Sequence, residues 1–196
     1  MCLGLSFLGV ITSVVAQVPA GEVIKDANTP LHMLQPDYPT PYGNTTAGDI
    51  ENVLERVLTY LDAVTPAKLV DKQTGKEIPD YKNPGANAIF QQGDYRLISY
   101  EWGVTYAGML AAGLATGNNK FTEYTNKRLK LIADIIPYYK AQPAKDPSEI
   151  SPVNSVIHPH ALDDAGAMCA AMIKSLSGGT KMDLRPIINN YIDYIS

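Results

Sequence analysis

The chain is poor in cysteine, with Cys2 and Cys169 as its two thiols. Cys2 lies in an apolar N-terminal stretch expected to be removed, which leaves Cys169 alone inside an apolar helical pattern, where it reads as a small core residue. Neither a disulfide framework nor a cysteine-based metal centre can be built from this set. Charge of one sign is lacking too: 16 basic and 20 acidic residues give a formal net charge of −4 without long like-charge blocks. That balance offers no electrostatic footprint for nucleic acid or an anionic membrane. Beyond the N-terminal stretch no apolar run is long enough to span a bilayer. The three histidines are His32, His158 and His160, so no H-E-x-x-H pair exists. A repeat of about 34 or 40 residues is absent, which disfavours tetratricopeptide and HEAT arrays. Phenylalanine and tryptophan are scarce, 3 and 1, against 12 tyrosines. Rings with a polar handle suit a wet cleft as well as a core.

What is present begins with Met1 to Ala16, uncharged and apolar with small residues near its end. It reads as a signal peptide over 1–16, cleaved near Ala16, although the usual basic start is missing and a buried first helix is the alternative. The mature protein is then expected to be soluble in the periplasm or outside the cell. Residues 17–48 carry Pro19, Pro30, Pro36, Pro39, Pro41 and Gly43, an extended leader. The remainder, 49–196, is long and apolar enough for one domain. Ile50, Val53, Leu54, Val57, Leu58 and Leu61 recur at helical spacing, with Thr46 and Asp49 placed to cap the start of a helix over 49–63. Residues 68–78 read as a small hairpin around Gln73-Thr74-Gly75-Lys76, and 79–93 as loop. Further helices are expected over 97–116, stopped by Gly117, and over 120–139, then over 161–176 and 185–196 after a loop held open by Pro143, Pro147 and Pro152. Helix pairs joined alternately by tight turns and long loops imply an all-α fold, an α/α solenoid or toroid of antiparallel pairs. Its long loops would gather on one rim, where function belongs.

Two segments on that rim carry the candidate chemistry. Tyr100-Glu101-Trp102-Gly103-Val104-Thr105-Tyr106-Ala107-Gly108-Met109 opens one helix, and His158-Pro159-His160-Ala161-Leu162-Asp163-Asp164-Ala165-Gly166-Ala167-Met168 leads into another. Asp163 and Asp164 fall in a first helical turn, where free N–H groups and the helix dipole favour negative charge. The plain reading is a capped helix; the sharper one has one carboxylate capping and the other facing a ligand, because successive helical residues point about 100° apart. His158 and His160 around Pro159 resemble the H-x-H of a metal hydrolase, or else a loop packed on the rim. Trp102 and Tyr106, four residues apart, are core residues or a sugar platform.

Together, the strings YEWGVTYAGM, followed by a TGN turn, and HALDDAGAM resemble the first two inner helices of the unsaturated rhamnogalacturonyl hydrolases, relatives of the unsaturated glucuronyl hydrolases. The resemblance covers 49–196. It implies the N-terminal portion of an (α/α)6 barrel, no metal and no other cofactor. It also implies hydration of the C4=C5 double bond of a terminal unsaturated uronic acid on a pectin-type oligosaccharide. In that reaction an aspartic acid protonates the double bond and activates the water that adds at C5, after which the product opens and the glycosidic bond is released. The D-x-G setting of the family matches Asp164 and the L-D setting matches Asp163, so both are catalytic candidates. Tyr100, Trp102, His158 and His160 are the candidate substrate-binding residues. The family's principal acid/base lies in a later W-L-D motif, and the one tryptophan here is Trp102. The chain is therefore expected to be the first part of a longer enzyme, inactive alone, with an apolar flank on its first and last helices. A non-catalytic helical module that binds a glycan or protein is the alternative, and a metal hydrolase using His158, His160 and Asp163 a third.

Overall fold

A computed structural model describes residues 46–142 and 151–196, which belong to one compact unit, Thr45–Ser196. The expected signal peptide at 1–16, residues 17–45 of the expected leader, and Pro143 and Pro147 lie outside the described residues. The first helix, α1 (Ala47–Val64), starts two residues before the expected position, directly after its expected cap Thr46. Thr46 accepts the Asp49 N–H at 3.2 Å, and the Asp49 carboxylate accepts the Thr46 N–H at 2.9 Å. Two orphan donors of the first turn are thus satisfied reciprocally.

The hairpin is present as β1 (Leu69–Asp71) and β2 (Glu77–Ile78), antiparallel with Leu69 opposite Ile78. Its turn is closed by the Asp71 carboxylate, which accepts the N–H groups of Gln73 and Thr74, and by Gly75 at φ +68. The loop expected over 79–93 is corrected in part. Ala88–Phe90 forms β3, paired with the other edge of β1 in the order β2-β1-β3. Three residues are too few to display a period of two, so this strand is set by its partner β1.

The rest is helical, and the described residues are mostly helix overall. Ser99 caps α2 (Tyr100–Thr116), three residues later than the apolar periodicity suggests, and Gly117 ends it at φ +71. Asn118 caps α3 (Asn119–Ala141), and Thr125 on α3 donates its hydroxyl to the Tyr106 carbonyl on α2, so the two form the expected antiparallel hairpin. A short α4 (Asn154–Ile157), not read from the sequence, precedes α5 (Leu162–Ser177). Pro186 opens α6 (Arg185–Ile195), whose Asn190 amide donates to the Val156 and Ile157 carbonyls and holds α4 down.

The core is centred between α2, α3 and α5. Phe121, Leu129, Ile132, Ile135, Met168 and Met172 are fully buried there. Among these apolar side chains lies Arg128, which the sequence reading passed over and which is also fully buried. Its guanidinium sits 3.6 Å over the Tyr124 ring and donates to the carbonyls of Thr65 and Tyr124 and to the Asp62 carboxylate. A buried charge is tolerated when its donors are met, and here they tie the end of α1 to α3. The expected apolar flank is found in part. On α1, Ile50, Val53, Val57 and Tyr60 are exposed. On α6, Ile192 and Ile195 are exposed whereas Ile188 and Tyr191 are buried.

Candidate functional site

The two motifs meet. Asp164, on the first turn of α5, accepts the backbone N–H of Tyr100, the first residue of α2, at 2.6 Å. Three residues further along, α2 and α5 touch backbone to backbone. A Cβ on Gly103 would lie 2.5 Å from the Ala167 carbonyl carbon and 2.6 Å from the Met168 nitrogen. The helices therefore run in the same direction with their N-termini side by side. Both ends bring unpaired N–H groups and positive partial charge to one spot, which explains the carboxylates gathered there. Glu101, on the first turn of α2, is held below the ordinary carboxylate range chiefly by the Ser99 hydroxyl.

The division of labour between the two aspartates differs from the sequence reading. Neither is the cap residue of α5; that position is Ala161, which has no side-chain acceptor. Asp163 is exposed and accepts the N–H of Asp164 at 2.9 Å. Asp164 is half-buried and caps the neighbouring helix rather than its own. Asp164 is the third residue of α5, and the α2 N-terminus lies beside it.

The binding candidates separate. Tyr100 is 47% exposed at the mouth of the junction. Trp102 is corrected to a core residue: it is 6% exposed, donates its indole N–H to the Tyr124 hydroxyl at 3.3 Å, and stacks on Tyr95 with centroids 4.7 Å apart. Tyr106 is buried with its hydroxyl on the Leu97 carbonyl, and burial pushes its ionisation well up. His158 is exposed at the end of α4. His160 is exposed and lines a cleft of about 600 Å3 between the segment before α2 and the segment before α5. That cleft is walled by Asp94, Tyr95, Arg96 and Ile98 on one side and by Asn154, Ser155 and His160 on the other. Tyr95 and Arg96 were not singled out from sequence; their one signal is an aromatic and a basic residue three to four positions ahead of the Ser99 cap.

Among the described residues, no three His, Cys, Asp or Glu side chains are grouped closely enough to hold a metal ion, so His158, His160 and Asp163 are not gathered into a ligand set. Cys169 is buried, its thiol directed at the Ile188 carbonyl and pushed up by burial, which makes it the core residue expected. No protein-family model matches the chain, and no curated protein matches it.

Proposed function

We propose that the chain carries part of the active site of an exported glycoside hydrolase that hydrates terminal unsaturated uronic acids of rhamnogalacturonan-type oligosaccharides. The observation that carries the reading is the Asp164 to Tyr100 contact, which joins the two motifs behind the family resemblance; Ile98 and His160, a few residues ahead of each, line the cleft. In this reading α2 and α5 are successive inner helices of an (α/α)6 toroid, with α3 and α6 as their outer partners. Their common direction, with close approach at Gly103, supports such an arrangement.

The chemistry assigned to the pair follows from its hydrogen bonds. One Asp164 oxygen is occupied by the Tyr100 N–H, which fixes the carboxylate's orientation and leaves Oδ2 for the water that adds at C5. Asp163, exposed on the same turn, is less constrained and serves at most to hold a sugar hydroxyl. Tyr100 lines the subsite. A non-catalytic glycan-binding module is the second reading, favoured by the same bond, since a carboxylate spent on capping α2 has a structural use of its own.

Asp164→Asn separates the two, because the amide oxygen still accepts the Tyr100 N–H while the charge is lost. Turnover of an unsaturated disaccharide, followed as loss of the conjugated double bond's absorbance with protein expressed from its complete reading frame, is expected to fall at least about a hundredfold. Asp163→Asn is expected to leave it nearly intact. Equal, normal turnover in both variants removes the pair from the active site, and no turnover by the unsubstituted protein leaves the binding module.

A further inference from the structure

Taking the class of ligand from the hydrolase reading, we propose that the cleft ahead of α2 is a subsite for a saturated acidic sugar, with Tyr95 as its stacking platform and Arg96 as its carboxylate anchor. The wall that bears both residues is a loop, yet its backbone is fixed. A Cβ at Gly93 would collide with the Val64 carbonyl and with Pro66, so this residue packs directly on the end of α1. The Asp94 N–H donates to the Val64 carbonyl at 2.9 Å. Leu97 is buried, and its carbonyl accepts the Tyr106 hydroxyl at 2.8 Å. A loop pinned on both sides of Tyr95 and Arg96 loses little further freedom when a ligand binds, which favours affinity.

The ring of Tyr95 is equally constrained. It stacks on Trp102 at an interplanar angle of 25°, and its hydroxyl lies 3.5 Å from that of Tyr60. It remains 43% exposed and lines the cleft, so the part that the indole does not cover is a rigid apolar surface suited to the C–H face of a pyranose. Arg96 is exposed beside it. Among the described residues the ion pairs engage Lys68, Lys120, Arg128 and Lys130, and Arg96 makes none. Its planar fork matches a carboxylate. Asp94 is on the same wall and Glu101 lies within coulombic reach of Arg96, so no excess positive charge invites a phosphate. A single carboxylate among hydroxyls fits this balance, and Asp94, Asn154 and Ser155 supply partners for the hydroxyls. At about 600 Å3 the cleft falls within the roughly 300–1,000 Å3 typical of small-ligand sites.

Trp102 is the one tryptophan of the 196 residues, and its contact with Tyr95 makes it a reporter of the cleft. Titration of the full chain with trigalacturonate is expected to give a saturable change in tryptophan fluorescence and a matching calorimetric isotherm, with galactotriose binding about tenfold more weakly or less. Arg96→Gln is expected to bring trigalacturonate down to the level of galactotriose and leave galactotriose unaffected. Tyr95→Ala is expected to weaken both sugars, with Tyr95→Phe, which keeps the ring and the fold, retaining both. Absence of binding, equal binding of the two sugars, or acid selectivity that survives Arg96→Gln overturns the proposal. Neither probe has a C4=C5 bond, so the result is independent of turnover. Turnover without trigalacturonate binding sinks the subsite and keeps the hydrolase; acid-selective binding without turnover does the reverse.

Discussion

Gly103 and Gly108 sit five residues apart on α2 and have opposite reasons to be glycine. At Gly103 the α5 backbone fills the space a methyl group would need, and backbone cannot swing aside as a flexible side chain can. Gly108 is exposed and has nothing within 4 Å of where its Cβ would be, so it contributes only conformational entropy to the unfolded chain. Gly103→Ala is therefore expected to destabilise by about 1–3 kcal/mol, the usual cost of overpacking. Gly108→Ala is expected to stabilise by about 0.5–1 kcal/mol. Thermal unfolding followed by circular dichroism reads both, at roughly 2–4 °C per kcal/mol for a chain of this size. Equal shifts of one sign would mean that α2 and α5 do not approach closely at Gly103.

The helices differ in how they are begun. α1 relies on the reciprocal bonds of Thr46 and Asp49, whereas α5 has no side-chain cap of its own and α2 adds Asp164 from its neighbour to its own Ser99 cap. The first of these is sensitive to acid. The Thr46 hydroxyl, then the Thr46 N–H, holds the Asp49 carboxyl below its ordinary value of 3.8. The folded value is thus lower than the unfolded one, and the carboxylate's contribution is complete above pH 3.8 and lost as pH falls through the lowered folded value. Amide exchange at the start of α1 is expected to accelerate over that window, ahead of exchange in the core of α3. In Asp49→Asn, whose side chain does not titrate, the acceleration should disappear. If it persists, another group governs the end of the helix.

For the molecule as a whole, the contrast lies between a well-filled centre and apolar surface left open. Leu114 is 86% exposed on α2, while Ile188, on α6, is 7% exposed and packed in the core. No helix among the described residues is long and apolar enough to cross a membrane. Leu114→Gln is expected to change unfolding free energy by less than about 0.5 kcal/mol and to reduce binding of a hydrophobic dye. Ile188→Ala is expected to cost about 2–4 kcal/mol through the cavity it leaves. Denaturant unfolding distinguishes them, and a large loss in Leu114→Gln would show that its exposed surface is covered in solution.

Local physics was legible in the residue order. The capping box of α1, the αL stop at Gly117, the hairpin turn around Gln73-Thr74-Gly75-Lys76, the apolar periods of the long helices and the core character of Cys169 each depend on groups a few residues apart, so spacing alone determined them. Tertiary structure decided the rest. β3 exists because β1 offers an edge, not because Ala88–Phe90 shows a strand's alternation. Arg128 falls at the spacing of a buried stripe, yet its burial depends on Thr65 and Asp62, 63 and 66 residues away, to satisfy its donors. Trp102 became core because Tyr124 and Tyr95 enclose it, which left Tyr95 to face the cleft. Most of all, which helix Asp164 caps was settled by a neighbour 64 residues distant. A carboxylate in a first turn is attracted to unpaired N–H groups in general, and only the packing of α2 against α5 determines whose N–H it reaches.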